Sequence, residues 1–160
     1  MSNSLLRTLL YVALLFSAAG ARAEVSVKFD HPEEYFDMPV LERDRLLKGL
    51  TDHFKRLGEH LPAGQDLRIE VTDLHLAGRT HPGSRLGGEV RFMHGGADWP
   101  SMHLRYTVEA NGQALKNGEE DLSNMDYLQR MNNYPNEDNL RYEKQMLDDW
   151  YRRSIAAPAK

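Results

Sequence analysis

Apolar and polar residues change period several times along this chain, and each change marks an element. Val25-Ser26-Val27-Lys28-Phe29 alternates, which predicts a short first strand. A loop follows from Asp30 to Pro39, bracketed by Pro32 and Pro39. From Leu41 the spacing becomes three and four. Leu47, Leu50, Phe54, Leu57 and Leu61 form the apolar stripe of an amphipathic helix. Leu61-Pro62-Ala63-Gly64 ends it, because the residue before a proline disfavours helical geometry. Alternation returns at Leu67-Arg68-Ile69-Glu70-Val71, with odd positions inward, and then shifts parity to Leu74 and Leu76. A slip of one residue would turn every later side chain over, so a bulge is predicted near Thr72-Asp73.

Gly78 to Gly88 is rich in turn formers and is expected to be a mobile loop. Val90 and Phe92 mark another strand, and His94 to Pro100 connects it to the cleanest alternation in the chain. There Met102, Leu104, Tyr106, Val108 and Ala110 interleave with His103, Arg105, Thr107 and Glu109. Asn111-Gly112 is a strong hairpin signal, since a type I′ turn needs positive φ at both central residues. The returning strand covers Gln113 to Leu122, with Gly118 as its expected irregularity, and residues 123–135 read as a helical turn and an amide-rich loop. Asn136-Glu137-Asp138 opens a last helix with Leu140, Leu147, Trp150 and Tyr151 inward. Arg152-Arg153 closes it, so the charges match the helix dipole at both ends. The order β-α-β-β-β-β-α predicts an α+β fold: a mainly antiparallel four- to five-stranded sheet with two helices packed on one face. The other face would carry Glu89, Arg91, His103, Arg105, Thr107 and Glu109, either wet or covered by a partner.

Residues 1–23 break this pattern. Arg7 precedes the apolar run Leu9 to Phe16, small residues follow, and the segment ends in Ala21-Arg22-Ala23. This is the layout of a cleaved signal peptide, too short to span a bilayer. The expectation is a single domain over 24–153, a flexible tail over 154–160, and a periplasmic location, with secretion as the alternative. The absence of cysteine excludes disulfides, a thiolate nucleophile and a lipid-bearing Cys after the leader. The leader holds two of the twenty Lys and Arg and no acid. The mature chain therefore carries 18 bases against 24 acids, a net charge of −6. That balance argues against nucleic acid, whose phosphates demand a basic face. No later run is long enough to span a membrane.

Candidate chemistry is sparse. His53 and His60 are two helical turns apart, too far to share one ion. His81, His94 and Asp98 lie in or beside glycine-containing loops and form the one metal alternative, against a simpler reading as surface histidines. Ser84 and Ser101 lack an activating context, and no phosphate loop occurs. The pairs Glu33-Glu34, Glu119-Glu120-Asp121 and Asp148-Asp149 read as solvated acidic faces. Neither a cofactor nor a catalytic residue is implied. The interaction candidates are Asp73, Trp99, Arg105, Tyr142, Asp149 and Trp150, charged or aromatic residues of the strands, the last helix and, for Trp99, the connection before the cleanest strand.

The segments Gly64 to Asp73, Asp98-Trp99-Pro100, and Leu140 to Lys144 with Leu147 to Trp150 together resemble a family of proteobacterial exported proteins known as domain of unknown function 3016. The resemblance spans nearly all of the mature chain, including the Phe29 to Asp37 loop. It implies a small periplasmic domain and carries no activity, cofactor or site residue with it. The resulting expectation is a non-catalytic binding or accessory module of the cell envelope with an envelope protein partner. The alternative is a metal-binding protein or metal-dependent hydrolase using loop His and Asp residues. A third possibility is an oligomer formed by pairing strand edges.

Overall fold

The computed structural model describes residues 23–35, 38, 40–82 and 89–156. The leader up to residue 22, the centre of the expected mobile loop (83–88) and the end of the tail (157–160) lie outside the described residues.

Strand β1 (Val25–Phe29) leads through a 3-10 turn at Pro32–Glu34 to helix α1 (Arg43–Gly58). Strand β2 (Gln65–His75) follows, then a hairpin of β3 (Arg79–Pro82) and β4 (Glu89–Phe92). Strands β5 (Ser101–Ala110) and β6 (Gln113–Ser123) precede helix α2 (Arg141–Trp150), which continues as a π-helical turn over Tyr151–Ile155. The main sheet has the order β1-β2-β5-β6. Only β1 and β2 are parallel, joined by α1 as a parallel pair requires. The remaining pairs are antiparallel. The chain is therefore α+β, as its periodicities predict.

One face of the sheet and the two helices share the core. Leu67, Ile69, Val71 and Leu74 from β2 and Met102, Leu104, Tyr106 and Val108 from β5 meet Leu50 and Phe54 of α1 and Leu147 and Trp150 of α2. Trp150 lies edge-on to Phe54 at 5.9 Å and to Tyr106 at 5.6 Å. The parity shift is a bulge: the register moves between Val71 and Asp73, which skips Thr72 and returns Leu74 to the core face. Asn111 and Gly112 have φ of 52° and 75°, as their turn demands.

Four expectations are corrected. First, β4 does not extend the main sheet. It pairs only with β3, inside the stretch expected to be loop, so Glu89 and Arg91 are not part of the polar sheet face. Second, the β6 irregularity falls at Leu115, where the ladder passes from Val108–Lys116 to Glu109–Ala114. Gly118 pairs regularly with Tyr106, and it is glycine because a Cβ would stand 2.8 Å from the Tyr106 ring. Third, α2 begins at Arg141, not at Asn136. Asp138 forms the turn before it, accepting the Leu140 N–H at its carboxylate and the Arg141 N–H at its carbonyl. Fourth, α1 stops at Gly58, leaving Leu61 in the following turn. Among the described residues, no helix is long and apolar enough to cross a membrane.

Candidate functional site

The residues expected from sequence are distributed over several places. Trp150 is fully buried, so it is core and offers no surface to a partner. Asp73 serves the bulge: its Oδ1 accepts the Leu74 N–H at 2.9 Å and its Oδ2 pairs with His75 at 3.2 Å. Asp149 is half-buried and holds Arg130 at 2.6 Å together with Arg152. Trp99 is half-buried in a shallow cleft of about 230 Å³ shared with His75, Arg79 and Asp98.

His81 and His94 do approach, with ring centroids 6.3 Å apart, and Phe92 packs against both. Asp98 is already engaged. Its Oδ2 accepts the His94 backbone N–H at 2.7 Å and its Oδ1 accepts the Tyr127 hydroxyl at 2.9 Å. Burial pulls the Asp98 carboxyl upward, but those hydrogen bonds outweigh it and hold the group below its ordinary range. Among the described residues, the only group of three ligand types with atoms within 4.8 Å of one another is His31, Glu33 and Glu34, all exposed.

Arg105 sits in the middle of the polar sheet face. One rung runs Lys28, Glu70, Arg105, Glu119 across all four strands, alternating in sign. Lys28 lies 2.8 Å from Glu70, and Arg105 bridges Glu70 at 3.5 Å and Glu119 at 3.3 Å. His103 completes the pattern, at 2.5 Å from Asp121 and 2.8 Å from Glu119. Within this chain Arg105 and Glu119 are about half exposed, and the charges of the face are paired with one another.

Buried polar groups join the helices, and they include Asp148, expected with Asp149 on a solvated acidic face but largely covered. His53, 3 % exposed, places Nε2 2.9 Å from Asp148 Oδ1, while Arg56 donates to its Nδ1 at 3.3 Å. Tyr134 donates to the other Asp148 oxygen at 2.7 Å. Burial works to raise the Asp148 carboxyl, and the His53 and Tyr134 hydrogen bonds overcome it. This network ties α1 to α2 and engages both oxygens of the carboxylate.

A concavity lies at the start of α2. It encloses about 400 Å³ between Glu42 before α1, the β3–β4 hairpin and the loop from Asn136 to Tyr142. That size is within the range of small-molecule sites. Its apolar wall is Leu46, Leu76, Met93 and Tyr142, and its polar lining includes Thr80, Arg91, Asn136, Asp138, Asn139 and Arg141. Tyr142 is fixed edge-on against Tyr127 at 4.8 Å. Behind Arg91 lies Glu143, completely buried. Its Oε1 accepts the Ala77 N–H at 2.7 Å and one N–H of Arg91 at 3.3 Å, while Arg91 also donates to the Asn139 carbonyl. Burial raises the Glu143 carboxyl above its usual range, which Arg91 only partly offsets.

Six buried side-chain polar atoms among the described residues have no hydrogen-bond partner: Thr80 Oγ1 and Arg141 Nε on this cleft's lining, Glu143 Oε2 behind it, and Arg43 Nε, Asn124 Nδ2 and Trp150 Nε1 on residues that do not line it. Each such group costs about 1–3 kcal/mol, and native folds keep few of them. Arg141 is also placed against the local electrostatics, as a cation on the first residue of a helix, where the dipole is positive. Of the residues expected from sequence, only Tyr142 belongs to this cleft.

The family model described as "Protein of unknown function (DUF3016)" matches residues 23–153. No curated protein and no solved structure matches the chain.

Proposed function

The chain belongs to the DUF3016 family, and from that premise we propose that it is an exported binding or accessory domain of the cell envelope. It works in the periplasm after cleavage behind Ala23 and takes a small polar molecule in the cleft at the start of α2, either alone or on behalf of an envelope protein partner. The observation that carries this reading is the cleft itself. It pairs a small-molecule volume with buried polar atoms that the fold leaves unpartnered. Asp138 on the lining, and Asp98 and Asp148 elsewhere, are each held by internal hydrogen bonds. Such groups position backbone and helices and leave little freedom for proton transfer.

Export is supported by the leader and by the way the fold begins. The Glu24 N–H donates to Asp66 at 2.9 Å, and the Leu67 N–H donates to the Glu24 carbonyl at 2.9 Å. A cut behind Ala23 therefore leaves every contact of β1 in place. The test is cell fractionation with N-terminal sequencing, followed by native mass spectrometry of protein prepared without chelators. A periplasmic chain beginning at Glu24 and carrying an added small mass is expected. An uncut cytoplasmic chain would overturn the location, and a bare chain under gentle ionisation would remove the bound molecule.

A further inference from the structure

Resting on that reading of the cleft, we propose that its ligand is a monoanionic carboxylate with an apolar body, held by the Arg141 guanidinium. The inference follows from accounting for every charge on the lining. Glu42 pairs with Arg45 at 2.7 Å, Asp138 with Lys144 at 2.6 Å, and Arg91 with Glu143. Among the described residues, Arg141 meets no carboxylate. It donates through Nη1 to the Asn136 side-chain oxygen and lies 5.2 Å over the Tyr142 ring. Nη2 has no partner among the described residues and is not buried, so it is the donor open to a ligand, while Nε lies buried behind it, also without a partner.

A planar fork of two N–H groups matches the two oxygens of a carboxylate. An anion at this point also offsets the positive end of α2, which Arg141 by itself opposes. Phosphate fits less well. A dianion would share the lining with the Glu42 and Asp138 carboxylates, and there is only one unpaired cation to hold it. The rest of the cleft describes the rest of the ligand. Leu46, Leu76, Met93 and Tyr142 accept an aliphatic or aromatic body.

The test uses the chain from Glu24 onward and three probes: hippurate, its neutral amide hippuramide, and inorganic phosphate. Isothermal titration should show hippurate binding at least about tenfold tighter than hippuramide, since a charge-assisted pair contributes that much or more. Phosphate at tenfold excess should not displace hippurate. Arg141→Met should weaken hippurate at least about tenfold, and Arg141→Lys, which keeps the charge and loses the fork, should fall between. The hippurate–hippuramide comparison on the unaltered chain stands even if a variant fails to fold. Equal binding of the acid and the amide, displacement by phosphate, no detectable hippurate binding, or unweakened binding by a folded Arg141→Met chain would each overturn the assignment. A native added mass that contains no carboxyl group would overturn it while leaving the cleft a binding site.

Discussion

The buried Glu143–Arg91 pair decides whether the β3–β4 hairpin stays docked on α2, and removing the carboxylate is the sharpest test of the packing. Glu143 has no exposed surface and Arg91 only 14 %. Glu143→Ala would orphan the Ala77 N–H, for about 1–3 kcal/mol. It would also lose one buried methylene, for about 0.8 kcal/mol, and leave Arg91 without its counter-charge. Because the guanidinium can turn partly to water, the total should sit near the lower part of the roughly 3–5 kcal/mol seen for broken buried pairs. With a urea m-value of about 2 kcal/mol/M, the midpoint should drop by roughly 1.5–2 M. Tryptophan fluorescence can follow the transition, because Trp150 is at the centre of the core. Glu143→Gln keeps the acceptor for Ala77 and places an unsatisfied NH2 where Oε2 stands, so it should cost about 1–2 kcal/mol. Combining Arg91→Met with Glu143→Ala should be less harmful than the sum of the two, by about 1–2 kcal/mol of coupling. A Glu143→Ala midpoint within 0.5 M of the unaltered chain (about 1 kcal/mol) would refute the reasoning.

The same residue sets a pH signature. Its folded pKa is raised, mainly by burial. As pH falls through that value towards the ordinary carboxylate range, the folded chain takes up a proton that the unfolded chain does not, so this group's contribution to stability rises with acidity. Glu143→Gln should abolish that increment. His103 acts in the same direction for another reason: its hydrogen bonds to Asp121 and then Glu119 raise its pKa. The stability it contributes is complete below about pH 6.5 and is lost as pH rises through the raised folded value. His103→Gln should therefore flatten the decline of melting temperature above neutrality, and an unchanged slope would discount the cluster. Gly118→Ala should destabilise by about 1–3 kcal/mol, because the new Cβ meets the Tyr106 ring, which is already wedged against Trp150. A neutral result in chemical denaturation would mean that the ring moves freely. In a chain cut behind Ala23, the Glu24 ammonium would face Asp66 at the 2.9 Å now spanned by the amide. Acetylating that amine should lower stability by about 0.2–1 kcal/mol, and Asp66→Asn should erase the difference in a paired melting experiment.

How much of this was legible depends on the distance over which each feature is encoded. The main sheet was legible because each strand writes its buried face locally. The parity change from Val71 to Leu74 even located the bulge, since only an extra residue at Thr72 keeps both sets of apolar side chains inward. The cleft was not legible as a place, because Glu42, Thr80, Arg91 and Arg141 converge from four separate segments and none has a fixed spacing to another. Its chemistry nevertheless left two local marks. Glu143 falls on the inner stripe of α2, between Leu140 and Leu147, where an acid has to find a buried partner. Arg141 opens that helix only once the structure moves its start from Asn136, and there a cation works against the dipole. Both break the rule that the rest of the helix obeys, and such breaks concentrate where a fold gives up local consistency for a site. The first is answered within the chain by Arg91 and the Ala77 amide. The second has no answer within the described residues, and for that reason the missing anion is sought outside the protein.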